Sequence, residues 1–208
     1  MTYSIVGADL SKKLFGVAVV SGSLAVGSRV PWARAGVGAV ATQAYTNPAL
    51  GPIILEYLAN GFSADKALAK ALSKDSEPEK RQVAVVDYKG NVAFHSGKEI
   101  PKENGICVDQ TVVCLGNLIV TAEIPKVMCE EFKRKRGEDF AWALLLALAA
   151  GHALGGDKRG DRSGALIVVG ETLYGKYYDY IVNLRVDYSV NPVKELIMLY
   201  EMLRGGKS

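Results

Sequence analysis

The stretch from Phe140 to Leu154, FAWALLLALAAGHAL, limits the choice of fold more than any other part of this sequence. It is apolar around nearly its whole helical circumference, with Trp142, Leu144, Leu145, Leu146 and Leu148 on different sides, and such a helix must be covered all round. It falls short of the about 20 residues that a bilayer span requires, so it reads as a buried helix, and no membrane partner is expected. If it lies on the outside of a layered domain, the remaining cover has to come from a second copy, and a homo-oligomer with this helix at the contact is the expectation.

The flanking patterns supply the layers. Tyr3 to Ala8 and Leu14 to Val20 read as two short strands joined by the polar turn Asp9 to Lys13, with Thr2 at the strand end. A Gly- and Ser-rich passage leads through Pro31-Trp32 to a small-residue strand, Gly38 to Ala44. Asn47-Pro48 then opens a helix that Gly61 stops. Ser63 caps a second helix, whose stripe of Ala64, Ala67, Leu68, Ala71 and Leu72 follows the helical period. Gln82 to Asp87 and Asn91 to His95 form a hairpin about Tyr88-Lys-Gly90, and Thr111 to Leu115 is a further strand. A helix from Glu123 to Arg136 precedes the apolar one. Strands Ala165 to Val169 and Tyr180 to Val186 follow, and Asn191-Pro192 caps a last helix. This order points to an α+β fold, two antiparallel sheets stacked face to face with helices outside them.

At 208 residues and 22.3 kDa the chain suits one domain, residues 1–208, with a substantial core. A net charge of +3 leaves no strong field. The one basic run, Lys133 to Arg136, sits among acidic residues as a solvated helix end, so no nucleic acid is expected. Cys107, Cys114 and Cys129 form neither a CxxC pair nor an even set, which fits a reducing cytoplasm, and no signal peptide is expected. Two histidines and scattered cysteines spell no metal motif, and the glycines near Gly36 spell no nucleotide loop, so neither metal nor cofactor is expected.

Several segments, in order, carry a resemblance. They are the opening TYSIVGAD after Met1, VGSRVPWARAGVGAVATQAYTNPALG from Val26 to Gly51, RQVAVVDYKGNVAFHSG from Arg81 to Gly97, GGDKRGDRSGALIVV from Gly155 to Val169, and LRVD from Leu184 to Asp187. Together they resemble the domain of unknown function 1028 family, which the resemblance sets in the Ntn-hydrolase superfamily, with its four-layer αββα sandwich. In that superfamily the first residue of the mature chain is the nucleophile and its own α-amine the base. Here this implies Thr2 after removal of Met1. Such an amine titrates near ~8 and accepts the hydroxyl proton without a histidine. If Met1 stays, the amine is locked in an amide and the mechanism fails.

The resemblance also nominates neighbours for Thr2. In proteasome-like relatives a Ser-Gly strand entry holds the amine; Ser163-Gly164 matches it, with Asp161 two residues earlier instead of the usual three. The same loop also suits a turn in which Asp157, Arg159 and Asp161 tie one another down. Asn117 is the candidate oxyanion donor, or simply a turn residue. Here the chain departs from the family: Leu115-Gly116-Asn117 stands for Gln-Gly-Asn, and the Trp-Ala-Gly segment after His95 is absent. Arg29, Arg34 and Gln43 are candidates for binding a substrate carboxylate or amide, the arginines through a bidentate fork. His95 is a candidate pocket residue or a structural one, and His152 belongs to the core or an interface. The resulting expectation is hydrolysis of a small-molecule amide through Thr2. The rival is a non-catalytic binding or assembly protein on the same fold.

Overall fold

The computed structural model describes residues 2–137 and 139–206. Six antiparallel strands form the larger sheet, in the order β10 (Tyr180–Val186), β9 (Ser163–Val169), β2 (Leu14–Ser21), β1 (Thr2–Asp9), β8 (Val112–Asn117), β7 (Gly105–Asp109). The smaller sheet runs β3 (Pro31–Arg34), β4 (Gly38–Ala44), β5 (Arg81–Asp87), β6 (Val92–Ser96), also antiparallel.

Strand alternation explains the layering. Along β1, Tyr3 and Ile5 join a cluster with Phe140, Leu144, Leu148 and Leu196, so they face helices α3 (Ile124–Lys135), α4 (Phe140–Ala153) and α5 (Pro192–Gly205). Val6 and Ala8 point the other way, into a cluster with Val17 and Val19 of the same sheet and Ala41 and Ala84 of the smaller one. Val40, Val83 and Val85 of the smaller sheet turn outward onto α1 (Leu50–Ala59) and α2 (Ala64–Leu72). The small side chains on β4 and β5 let the sheets approach closely.

The expected strands and helices are present, with two additions. β3 begins at Pro31 on a sheet edge, where a missing N–H costs nothing. β7 is the edge partner of β8, and its mostly half-exposed residues give no alternation to read. Helix α1 starts at Leu50, later than Asn47, because Asn47 first closes a turn through Oδ1 to Ala49 N at 3.1 Å.

The premise for a partner at α4 is not met. Leu144, Leu145 and Leu148 are fully buried within one chain. Helices α3 and α5 flank α4 on the same face of the sheet and close its sides, while Trp142 stacks on Tyr200 with ring centroids 6.1 Å apart. The sequence pattern shows that the helix needs cover, not which element supplies it. Among the described residues no helix is long and apolar enough to cross a membrane. At the end of α3, Arg134 pairs with Glu131 at 2.5 Å, in keeping with a solvated basic run.

Candidate functional site

Four side chains form a row across one end of the larger sheet. Thr2 stands opposite Ser21 on β2 and opposite Asn117 on β8, and Ser21 stands opposite Ser163 on β9. Cross-strand partners share a face, and the bond from Ser4 Oγ to Gln43 Oε1 at 2.8 Å shows that this face of β1 looks toward the smaller sheet. Thr2 Oγ1 is 3.1 Å from Ser21 Oγ, which also accepts from Ser23 N at 3.0 Å.

Thr2 and Ser21 line a pocket of about 230 Å³ together with Ser23, Arg29 and Thr46. Arg29 is held by its backbone, its carbonyl accepting from Trp32 Nε1 at 3.1 Å. The indole in turn lies flat against Gly51 of α1; a Cβ there would come within 2.3 Å of the ring, so the close approach requires glycine. The guanidinium donates through Nη2 to Leu24 O at 2.9 Å, and no carboxylate ion pair to it is seen among the described residues. Among the described residues the Arg29 cation thus shares a small pocket with four hydroxyl side chains and no carboxylate, a setting whose charge and donors match an anionic group.

Behind Thr2 runs a buried chain of amides. Gln43 Nε2 donates to Thr2 O at 3.3 Å and to Gln82 Oε1 at 2.8 Å. Gln82 Nε2 donates to Gly116 O at 3.1 Å and to Ser96 Oγ at 3.2 Å, while Gln82 Oε1 also accepts from Asn117 Nδ2 at 2.9 Å. Gln43 therefore anchors the first residue of β1 and, fully buried with oxygen and nitrogen both engaged, offers nothing to a ligand. Asn117 directs its N–H group to Gln82 and leaves Oδ1 unpartnered. Its unpartnered oxygen is an acceptor, which suits a cation or an N–H, and of the two Nδ2 hydrogens that the oxyanion role would draw on, one is given to Gln82.

Ser163 Oγ donates to Ser23 O at 2.6 Å and accepts from Val26 N at 3.0 Å, tying down the loop that carries the pocket wall to Arg29. Asp157 completes that fastening: it accepts from Gly22 N at 2.8 Å and is gripped by Arg159 at 3.0 Å. Asp161 lies on the opposite face of β1. Its Oδ2 accepts from Tyr3 at 2.5 Å and from His152 Nδ1 at 2.7 Å, and its Oδ1 from Asp157 N at 3.0 Å. Burial, followed by the Asp161 charge and hydrogen bond, holds the Tyr3 phenol well above its ordinary pKa. Asp161 is thus a clamp on β1, turned to the face away from Thr2, and the ties within this loop join Asp157 to Arg159 through their side chains and to Asp161 through the Asp157 N–H.

Two sequence candidates are elsewhere. Arg34 ends β3 at the far end of the sheets, in a separate cleft of about 410 Å³ shared with Lys13, Lys176 and Asp179. His95 donates through Nε2 to Pro78 O at 2.9 Å, on the side of β6 that carries Ala93 toward α2. Sequence reasoning missed Ser21 and Gln82. Ser21 ends its strand as Thr2 begins the neighbouring one, so the hairpin register alone places the two hydroxyls side by side. For Gln82 no local signal exists, since its role depends on the meeting of two sheets. Among the described residues no group of three or more His, Cys, Asp or Glu is arranged to hold a metal ion.

No curated protein matches this sequence. The crystal structure of the protein SPO2555 from Silicibacter pomeroyi, itself assigned to the DUF1028 family model, is similar at 30% identity and a TM-score of 0.88, over 97% of this chain and 85% of that one. The model of the family of unknown function DUF1028 matches residues 2–196, a span that holds every side chain of the Thr2 row, the pocket and the amide chain behind it, and the chain belongs to that family.

Proposed function

We propose that this protein is an N-terminal-nucleophile amide hydrolase of the Ntn type, acting on a small amide that carries an anionic group. The observation that carries the reading is the position of the Thr2 hydroxyl. It lies at the start of an interior strand, in a polar pocket, with Ser21 Oγ 3.1 Å away and Arg29 on the wall. The helix–sheet–sheet–helix layering is compatible with the Ntn fold.

In the proposed reaction Met1 is removed and Thr2 becomes the first residue. Thr2 Oγ attacks the amide carbonyl and its proton passes to the α-amine. The tetrahedral intermediate collapses, the amine returns the proton to the departing nitrogen, and an ester to Thr2 remains. Water, deprotonated by the same amine, then cleaves the ester and regenerates the hydroxyl. Ser21 orients the nucleophile, Gln43 fixes the Thr2 carbonyl, and Arg29 holds the anionic end of the substrate. Ser163 and Asp157 support the pocket loop and do not touch the reacting atoms.

The test is the state of the N-terminus together with turnover. Intact-mass measurement of the protein from its own host is expected to show a chain beginning at Thr2, and this form is expected to hydrolyse small N-acyl amides bearing a carboxylate. A quantitatively retained Met1 contradicts the reading and favours a non-catalytic binding protein on the same fold.

A further inference from the structure

Asn117 Oδ1 is a buried side-chain atom without a hydrogen-bond partner among the described residues, and a buried acceptor left unpaired bears its full desolvation penalty. Its identity as an oxygen is dictated by two backbone carbonyls. Gly116 O requires a donor, which makes the contacting atom of Gln82 its Nε2 and turns Gln82 Oε1 toward Gln43 and Asn117. Thr2 O likewise requires Gln43 Nε2. Asn117 must therefore present Nδ2 to Gln82 and keep Oδ1 free.

The ladder between β1 and β8 turns a donor toward the strand that carries that oxygen. Ala8 N donates to Thr111 O at 3.1 Å, in the same antiparallel register that sets Thr2 opposite Asn117. Hydrogen-bonded and non-bonded pairs alternate along the ladder, so Thr2, an even number of residues from Ala8, also turns its nitrogen toward β8. A peptide N–H has one hydrogen, which the ladder uses. The free amine has more, and the added hydrogens need an acceptor on this side of the strand.

We infer that Asn117 Oδ1 accepts a hydrogen bond from the α-amine of Thr2 once Met1 is removed, making Asn117 the positioning residue for that amine. The inference rests on the N-terminal-nucleophile reading. A neutral amide orients the amine without bringing a negative charge beside it, and Asp161, the nearby carboxylate on the loop before β9, is engaged on the other face of β1. The amine therefore stays a usable base near neutral pH.

The experiment uses chain from which Met1 has been removed, verified by intact mass, and follows the pH dependence of acylation by a β-lactone. Asn117→Asp is expected to raise the midpoint by about one pH unit or more, and Asn117→Leu to lower it and slow labelling about tenfold. A merely structural role moves melting temperatures and leaves the midpoint in place, so folded variants with the wild-type midpoint overturn the inference. Should neither variant fold, the 13Cγ shift of Asn117 in the wild-type processed chain decides: it is expected to titrate together with the Thr2 amine, and a flat response overturns the inference. Labelling that persists in Thr2→Ala instead overturns the hydrolase reading, which the 13Cγ titration does not depend on.

Discussion

The Tyr3 hydroxyl donates to Asp161 Oδ2 at 2.5 Å on the face of β1 opposite Thr2, so consecutive residues of one strand serve two different purposes. Thr2 faces the pocket between the sheets, while Tyr3 fastens the strand to the loop after α4. Tyr3→Phe removes the hydroxyl and leaves Asp161, a buried carboxylate, with His152 as its remaining side-chain partner. The expected cost is about 2 kcal/mol in denaturant unfolding, with acylation of Thr2 retained. Loss of labelling at unchanged stability would assign the phenol to the chemistry.

Arg29 is expected to govern substrate affinity and not the chemical step. Arg29→Ala should raise KM for a carboxylate-bearing amide about tenfold or more, the equivalent of one lost charge-assisted hydrogen bond, with kcat nearly preserved. Arg29→Lys should recover only part of the affinity, because an ammonium lacks the planar fork. Equal effects on charged and uncharged amides would remove Arg29 from the binding site.

The rim of the site depends on a buried ion pair. Arg81 meets Asp75 at 2.9 Å with side-chain exposures of 9% and 1%, and Arg81 Nη1 also donates to Tyr45 O, just past the end of β4. The Arg81 hydrogen bond, with those from Asn47 and Glu77 N, holds the Asp75 carboxyl well below the usual carboxylate range. Since the folded-state value is depressed, the pair stabilises the fold above pH about 4, the unfolded value, and that contribution fades as pH falls further. Asp75→Asn is expected to cost about 3 kcal/mol near neutral pH and to flatten the acid side of the stability profile. Urea unfolding at stepped pH measures both.

The three thiols should be inert in the folded protein. Burial, with the hydrogen bond to Cys129, pushes Cys107 up to about 12, and burial also raises the fully enclosed Cys114. Cys129, lowered chiefly by its bond with Cys114, is itself buried and bonds the Cys107 carbonyl at 3.3 Å. Because the thiolate is the reactive form, a thiol reagent at pH 7 is expected to modify the native chain slowly and all three cysteines at once after denaturation. Rapid native labelling would contradict this packing.

What the sequence makes legible follows the range of the interactions involved. The β1–β2 hairpin, β4, the α2 stripe and the Asn191 cap, which accepts from Lys194 N at 3.0 Å, depend on neighbours a few residues apart, and the sequence shows them plainly. β3 and β7 depend on a partner strand for their existence, so nothing local marks them. The site divides the same way. Thr2 is readable at a strand end, and Ser163 at a strand entry. Asp161 and Ser163, two residues apart and close to Thr2 in sequence logic, go to different tasks because one packs under the sheet and the other over it. Arg29 and Arg34 look equivalent in one segment, yet β3 carries Arg34 to the far end of the sheet. The cover on α4 comes from α3 and α5 of the same chain, a fact of tertiary packing that hydropathy does not encode.

The central claim is that Thr2 is the nucleophile, and covalent labelling tests it most directly. Processed chain, beginning at Thr2, is treated with a β-lactone, digested and mapped by tandem mass spectrometry. The account predicts one acyl adduct on Thr2, absent from Thr2→Ala and from chain that retains Met1, with Thr2→Ala unfolding within about 1 kcal/mol of wild type. A processed, folded chain that takes no label, or an adduct that persists at full yield in Thr2→Ala, would contradict it.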